Sequence, residues 1–154
     1  MSFVEVMKQS QLMFSRKWTH IVLHHSYTED GKTVDWTAIK RYHIEEKGWD
    51  DIGYHFGIER VDDKYQLMIG RPLSKVGAHT QGQMNYKAIG ICIIGKYDFK
   101  LPNKEAIRLL RKLVWTLKAH FKIVDENIHC HSEHSGKTCP GLSIKPDIWR
   151  LILL

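Results

Sequence analysis

Cysteine is scarce in this sequence. Three occur in 154 residues, and the number is odd. That excludes a disulfide scaffold and leaves thiols that are buried or bound to metal. Long apolar runs are missing too. None approaches the roughly 20 residues of a membrane span. Residues Met1 to Trp18 mix Glu5, Lys8, Arg16 and Lys17 among their apolar residues, without an uninterrupted apolar core or a small-residue cleavage site. They do not read as a signal peptide, and the expectation is a chain made in the cytoplasm. No internal repeat, low-complexity tract or linker divides the sequence.

What is present is ordinary for one globular domain: 43% hydrophobic and 26% charged residues. The net charge of +6 and pI near 9.2 favour polyanions, which include nucleic acid, phospholipid and anionic cell-envelope polymers, and the charge does not choose between them. The Lys and Arg are scattered, and no basic and aromatic residues interleave as in a nucleic-acid-binding motif, so nucleic acid is not expected.

One stretch concentrates chemistry. Residues His129-Cys130-His131-Ser132-Glu133-His134-Ser135-Gly136-Lys137-Thr138-Cys139-Pro140-Gly141 hold three His, two Cys and a Lys. Apolar Ile123, Val124 and Ile128 precede them, as in a short strand entering a tight loop. His and Cys are preferred zinc ligands, and catalytic zinc takes three protein ligands and keeps one position open. His131 and Cys139 supply two. The third is His24 or His25, which follow the apolar run Ile21-Val22-Leu23. Strand alternation puts only one of that pair on a given face, and spacing does not choose between them. A structural zinc site, a Cys nucleophile with a His, and a loop without metal are the competing readings. No paired C-x2-C supports the first.

Periodicity supplies the frame. Trp18 to His25 reads as a buried strand, followed by a turn at Asp30-Gly31. Thr33 is placed to cap a helix carrying Trp36 and Ile39, which Gly48 stops. Tyr54 to Arg60 and Tyr65 to Ile69 form a hairpin turned by Asp62-Asp63, and Arg71 to Gln83 is a loop. Ala88 to Ile94 is a central strand. Asn103 opens the longest helix, with Ile107, Leu110, Val114, Leu117 and Phe121 in one stripe. Ile128 to His131 is a last short strand. Lys145 to Leu154 is a terminal helix with Ile148, Trp149 and Ile152 facing in. The order β-α-β-β-β-α-β-α predicts an α/β domain, a mixed sheet flanked by helices, over residues 18–154. Residues 1–17 are an arm or an extra helix. In such sheets sites gather at strand ends, where His24, Tyr54 and His131 fall.

Five stretches occur in an order that resembles one family: Ile21 to Ser26, Gly48 to Phe56, Val76-Gly77-Ala78-His79-Thr80, Ala88-Ile89-Gly90-Ile91, and His131 through Lys137 to Cys139-Pro140-Gly141. They resemble the zinc-dependent N-acetylmuramoyl-L-alanine amidases of type 2, which include phage lysozyme-type amidases and animal peptidoglycan recognition proteins. The resemblance implies one zinc held by His24, His131 and Cys139, with Tyr54 and Lys137 at the reaction centre. It implies cleavage of the amide between the lactyl group of N-acetylmuramic acid and L-alanine in peptidoglycan, by an enzyme of the phage endolysin type; a monomer is expected. Asn85 falls where relatives carry a loop asparagine, and His79 in its Gly-flanked loop is a candidate lining of the substrate groove. Some cytosolic relatives carry a glutamate in the strand here written Ile91-Cys92-Ile93. Cys92 cannot carry protons as a carboxylate does, so Tyr54 is the expected polar partner of the attacking water. A non-catalytic peptidoglycan-binding module is the alternative, which the presence of Cys139 disfavours.

Overall fold

A computed structural model describes Glu5, residues 16–29 and residues 34–154. The expected turn at Asp30-Gly31, the cap at Thr33, and the expected arm or helix over 1–17 (apart from Glu5, Arg16 and Lys17) lie outside the described residues.

Five strands make one mixed sheet: β1 (His20–His25), β2 (Phe56–Val61), β3 (Lys64–Ile69), β4 (Ala88–Ile93) and β5 (Ile128–Cys130), in the order β3-β2-β4-β1-β5. β1 lies between β4 and β5 and is parallel to both, with His24 beside Cys92 and Leu23 beside Cys130. β2 runs parallel to β4, and of these pairings only the β2-β3 hairpin is antiparallel. Its turn uses Asp62 at φ 54°, a conformation Asp tolerates better than most residues. β4 is buried along its whole length, as its unbroken apolar run requires of a strand covered on both faces. β3 is one edge, with Lys64 and Gln66 exposed and its other residues half-buried.

One face of the sheet packs on α3 (Lys104–Phe121) and α4 (Pro146–Leu153), which follow α1 (Trp36–Glu45) and the four-residue α2 (Met84–Lys87) in the chain. Ile21, Leu23, Ile89, Ile91 and Ile93 meet Leu110, Leu113, Val114, Leu117, Trp149 and Leu153 there, all buried. Each such side chain contributes about 1.5–3 kcal/mol by leaving water. Alternation sends Cys92 and Ile94 to the other face, into a smaller cluster with Trp36, Ile39 and Ile52. α1 covers that face.

The structure corrects several boundaries. Asp35 caps α1, its carboxylate accepting from the amide of Ala38, because it is the last extended residue before the first turn. Trp18 is fully buried but stands outside the ladder, donating from its indole to the Leu73 carbonyl instead. β2 starts at Phe56, two residues after Tyr54, and β5 ends at Cys130, so that His131 opens a 3-10 turn. The seam of α3 is centred one position round from the expected stripe: Ala106 and Leu113 are buried, whereas Ile107 and Phe121 flank it. In α4 the i, i+4 pair Trp149 and Leu153 faces in, and Ile148 is 46% exposed, contrary to expectation.

Candidate metal centre

His24, on β1, points to the face covered by α1, and its neighbour His25 turns to the opposite face. There the ring of His25 accepts the amide of Tyr97 through Nδ1 at 3.2 Å. The chain itself thus chooses between the two histidines. His131 arrives from the end of the adjacent β5, and the two imidazole centroids lie 4.6 Å apart. The turn carrying His131 is clamped. The Cys130 amide donates to the Glu133 carboxylate at 2.7 Å, and Arg150 pairs with the same carboxylate at 3.1 Å. The Ser132 amide donates to the Cys139 carbonyl at 2.7 Å, which fixes Cys139 against the His131 turn.

The donor atoms of His24, His131 and Cys139 all lie within 4.8 Å of one another, and the three side chains could together hold a metal ion. Nδ1 of His24 stands 3.7 Å from Sγ of Cys139. Tetrahedral zinc with ordinary Zn–N and Zn–S distances sets its nitrogen and sulfur ligands about 3.5 Å apart, so the donor spacing fits. His24 and Cys139 are buried and His131 is half-buried, which leaves an approach from one side. Burial pushes His131 down to about 4, helped by the nearby Lys137 charge. Its imidazole is therefore neutral, as a metal ligand must be. Burial pushes the Cys139 thiol up to about 12, opposed by the His25 amide and by Lys137. The His25 amide donates to the sulfur at 3.2 Å and is already placed to support a thiolate. A metal bound here would release the thiol proton.

Tyr54 hangs over His24, with centroids 5.1 Å apart, and packs between the rings of Trp36 and His43. Its phenol reaches the Cys92 thiol. Burial first, then Cys92 and Cys139, hold its pKa well above the ordinary range. At neutral pH this hydroxyl keeps its proton and acts as a donor. Lys137 is exposed at the mouth, near enough for its charge to depress both His131 and His24.

Of the two residues expected to meet substrate, His79 lies deeper and Asn85 is half-buried. The His79 ring is buried and touches His24, with His24 Nε2 and His79 Nδ1 3.0 Å apart. Asn85 spends its carbonyl oxygen on the amides of His79 and Thr80, at 2.9 and 2.8 Å. His79 thus stands behind His24, and Asn85 holds the loop that carries it. The sequence reading missed His43, which accepts the Gly53 amide at 3.0 Å and so braces the segment carrying Tyr54. Its position one turn from Ile39 was the available signal. His55 is a buried core residue, as alternation from Tyr54 implies. His129 pairs with His134 at 2.6 Å and with the Glu126 carbonyl, away from the three donors.

The fold and the sequence both have relatives. The family model described as N-acetylmuramoyl-L-alanine amidase matches residues 14–142. The endolysin of Escherichia phage T7 is 33% identical over 131 residues, covering 81% of this chain and 82% of its own length. The endolysin of Klebsiella phage KP32 is 31% identical over 145 residues, covering 90% of this chain and 91% of its own. Among solved structures, the endolysin N-acetylmuramoyl-L-alanine amidase from Clostridium intestinale superposes with a TM-score of 0.71 at 29% identity, over 81% of this chain and 76% of that one. With the family match running across the whole sheet and relatives of nearly the same span on either side of it, the chain belongs to the N-acetylmuramoyl-L-alanine amidase family.

Proposed function

We propose that this protein is a zinc-dependent amidase of the phage endolysin type, which cleaves the bond between N-acetylmuramic acid and L-alanine in peptidoglycan. The observation that carries the reading is the convergence of His24, His131 and Cys139, with the ring of Tyr54 beside His24. One zinc per chain is the ion this donor set suits, since two neutral imidazoles and a thiolate are borderline-soft ligands. Zinc held there would lower the pKa of water to about 7 and polarise a carbonyl.

The protein's own residues then have distinct work. The buried imidazoles stay neutral and keep their lone pairs for the metal. Tyr54, protonated and fixed by Cys92 and by the rings around it, offers a hydrogen bond to the attacking water or to the oxygen of the scissile carbonyl. Lys137 brings a positive charge to the open side, where negative charge develops on that oxygen. Removing one such stabilising group costs about 10²–10³-fold in rate. The partner is the peptidoglycan itself, met by a monomer whose basic surface suits an anionic envelope. Among the described residues no helix is long and apolar enough to cross a membrane.

The test is cleavage. Purified protein is mixed with peptidoglycan, with and without a chelator, and new L-alanine amino termini are counted. Activity lost to chelator and restored by zinc is the expected result. Activity that survives chelation but yields to a thiol alkylator would instead make Cys139 a nucleophile. Wall binding without cleavage would make the chain a recognition module.

A further inference from the structure

His79 stands in a slot made for an imidazole. A Cβ added at Gly90, in the middle of β4, would meet the His79 ring at 2.4 Å, and one added at Gly77 would meet it at 2.5 Å. Both distances are impossible for packed atoms, so two glycines from separate segments are what allow the ring to lie where it does. Its loop is pinned from outside by the Asn85 side chain, which accepts from the amides of His79 and Thr80. The described residues give the ring three polar neighbours. Nε2 lies 3.0 Å from the Ala88 carbonyl, and Nδ1 lies 3.0 Å from both His24 Nε2 and the Thr80 hydroxyl.

These partners fix every proton. A carbonyl only accepts, so His79 carries its proton on Nε2 and donates it to Ala88. The ring is buried among a carbonyl, a hydroxyl and another imidazole, with no carboxylate against it among the described residues, so it is neutral and its Nδ1 is bare. The Thr80 hydroxyl can also donate to that Nδ1, but a bare His24 Nε2 at 3.0 Å would set two lone pairs against each other, so the contact calls for a proton on His24 Nε2. That leaves His24 Nδ1 unprotonated, and Nδ1 is the atom facing Cys139 at 3.7 Å. The wrong tautomer of His24 would put a proton where a metal must bind.

We propose that His79 is a positioning residue for metal binding: through the chain Ala88 carbonyl, His79, His24 it holds His24 in the Nε2-protonated tautomer with Nδ1 aimed at the metal. The proposal rests on the zinc reading above. It gives His79 a role different from lining the substrate groove, and it gives Gly77 and Gly90 a common purpose. Hydrogen bonds behind a ligating histidine commonly govern metal affinity by about 10–100-fold.

The test compares His79→Asn, which keeps an acceptor near the Nδ1 position, with His79→Leu, which offers none. Zinc affinity is measured by competition with a chromophoric chelator, and folding by near-ultraviolet circular dichroism. We expect His79→Leu to bind zinc about 10–100-fold more weakly and His79→Asn to recover most of that loss. Equal affinity in wild type and folded His79→Leu would overturn the proposal. Should His79→Leu not fold, nitrogen-15 NMR of the metal-free wild-type protein decides alone. The His24 ring is expected to carry its proton on Nε2, and a proton on Nδ1 would overturn the proposal. Because this spectrum needs no metal, it separates failure here from failure of the zinc reading, which would show as no zinc binding by wild type.

Discussion

Acid should destabilise this protein through His55, and the size of the effect follows from its surroundings. The ring is fully buried, edge-on to Trp18 at 4.7 Å. Nε2 donates to the Lys75 carbonyl at 3.0 Å, and Nδ1 accepts the Gly90 amide at 3.1 Å. Both nitrogens are committed in the neutral state. Burial, above all, pushes the pKa down from 6.5 to about 4, against the upward pull of the Lys75 carbonyl. Above pH 6.5 the group is neutral in folded and unfolded chains alike and exacts no penalty. Between 6.5 and about 4 the unfolded chain takes up a proton that the folded chain refuses, so stability falls as pH falls. The slope is about 1.4 kcal/mol per pH unit, and the whole window is worth about 3 kcal/mol. That is a large share of the ~5–15 kcal/mol that holds a domain of this kind together. The assay is urea denaturation of metal-free protein, followed by tryptophan fluorescence at several pH values from about 7.5 to about 3.5, which brackets the window. A His55→Asn variant, which retains an acceptor for the Gly90 amide, isolates the contribution of the ring. Its stability should decline less steeply with acid, by about one proton. Parallel slopes for the two proteins, or a His55 ring titrating at its ordinary value by NMR, would refute the reasoning.

Other expectations follow from contacts at and behind the site. Cys139→Ser should reduce metal content well below one zinc per chain in elemental analysis of the purified protein, and unchanged zinc would remove Cys139 from the donor set. Tyr54→Phe and Lys137→Ala should each keep zinc but lose about 10²–10³-fold in the rate of L-alanine release; full activity in either variant would strike that residue from the chemistry. Gly57→Ala places a Cβ 2.2 Å from the Trp36 ring, which also packs against Tyr54. Such overpacking should cost about 1–3 kcal/mol in urea denaturation, and a midpoint like that of wild type would show that Trp36 is free to shift.

Much of the scaffold was legible because it follows from a period. The stripe along α3 and the apolar run of β4 fix their elements by pattern alone, and the β2-β3 hairpin is announced by Asp62-Asp63. What pattern did not give was which of two nearby candidates geometry would use. Thr33 and Asp35 are both competent caps, and only the backbone angle of Asp35 decides. Ile148 and Leu153 are equally apolar, and the angle at which α4 meets the sheet exposes one and buries the other. At the site the donors were found from residue type and resemblance. The neighbours that orient them were not, because their meaning lies in contacts between segments. His79 reads as a loop histidine until β4 presents the gap at Gly90. Cys92 reads as core until Tyr54 leans across to it. Gly77 and Gly90 were quoted among the motifs, yet nothing in the string of letters says that they share one neighbour.

The position of β1 in the sheet has a consequence for how the protein is made. Of the five strands this one is synthesised first, and it ends up flanked by β4 and β5, both produced much later. His24 therefore leaves the ribosome long before His131 and Cys139 exist. A nascent chain that stops short of β5 holds only one of the three grouped side chains. The three side chains can meet only after β5 and the loop that carries Cys139 have followed β1.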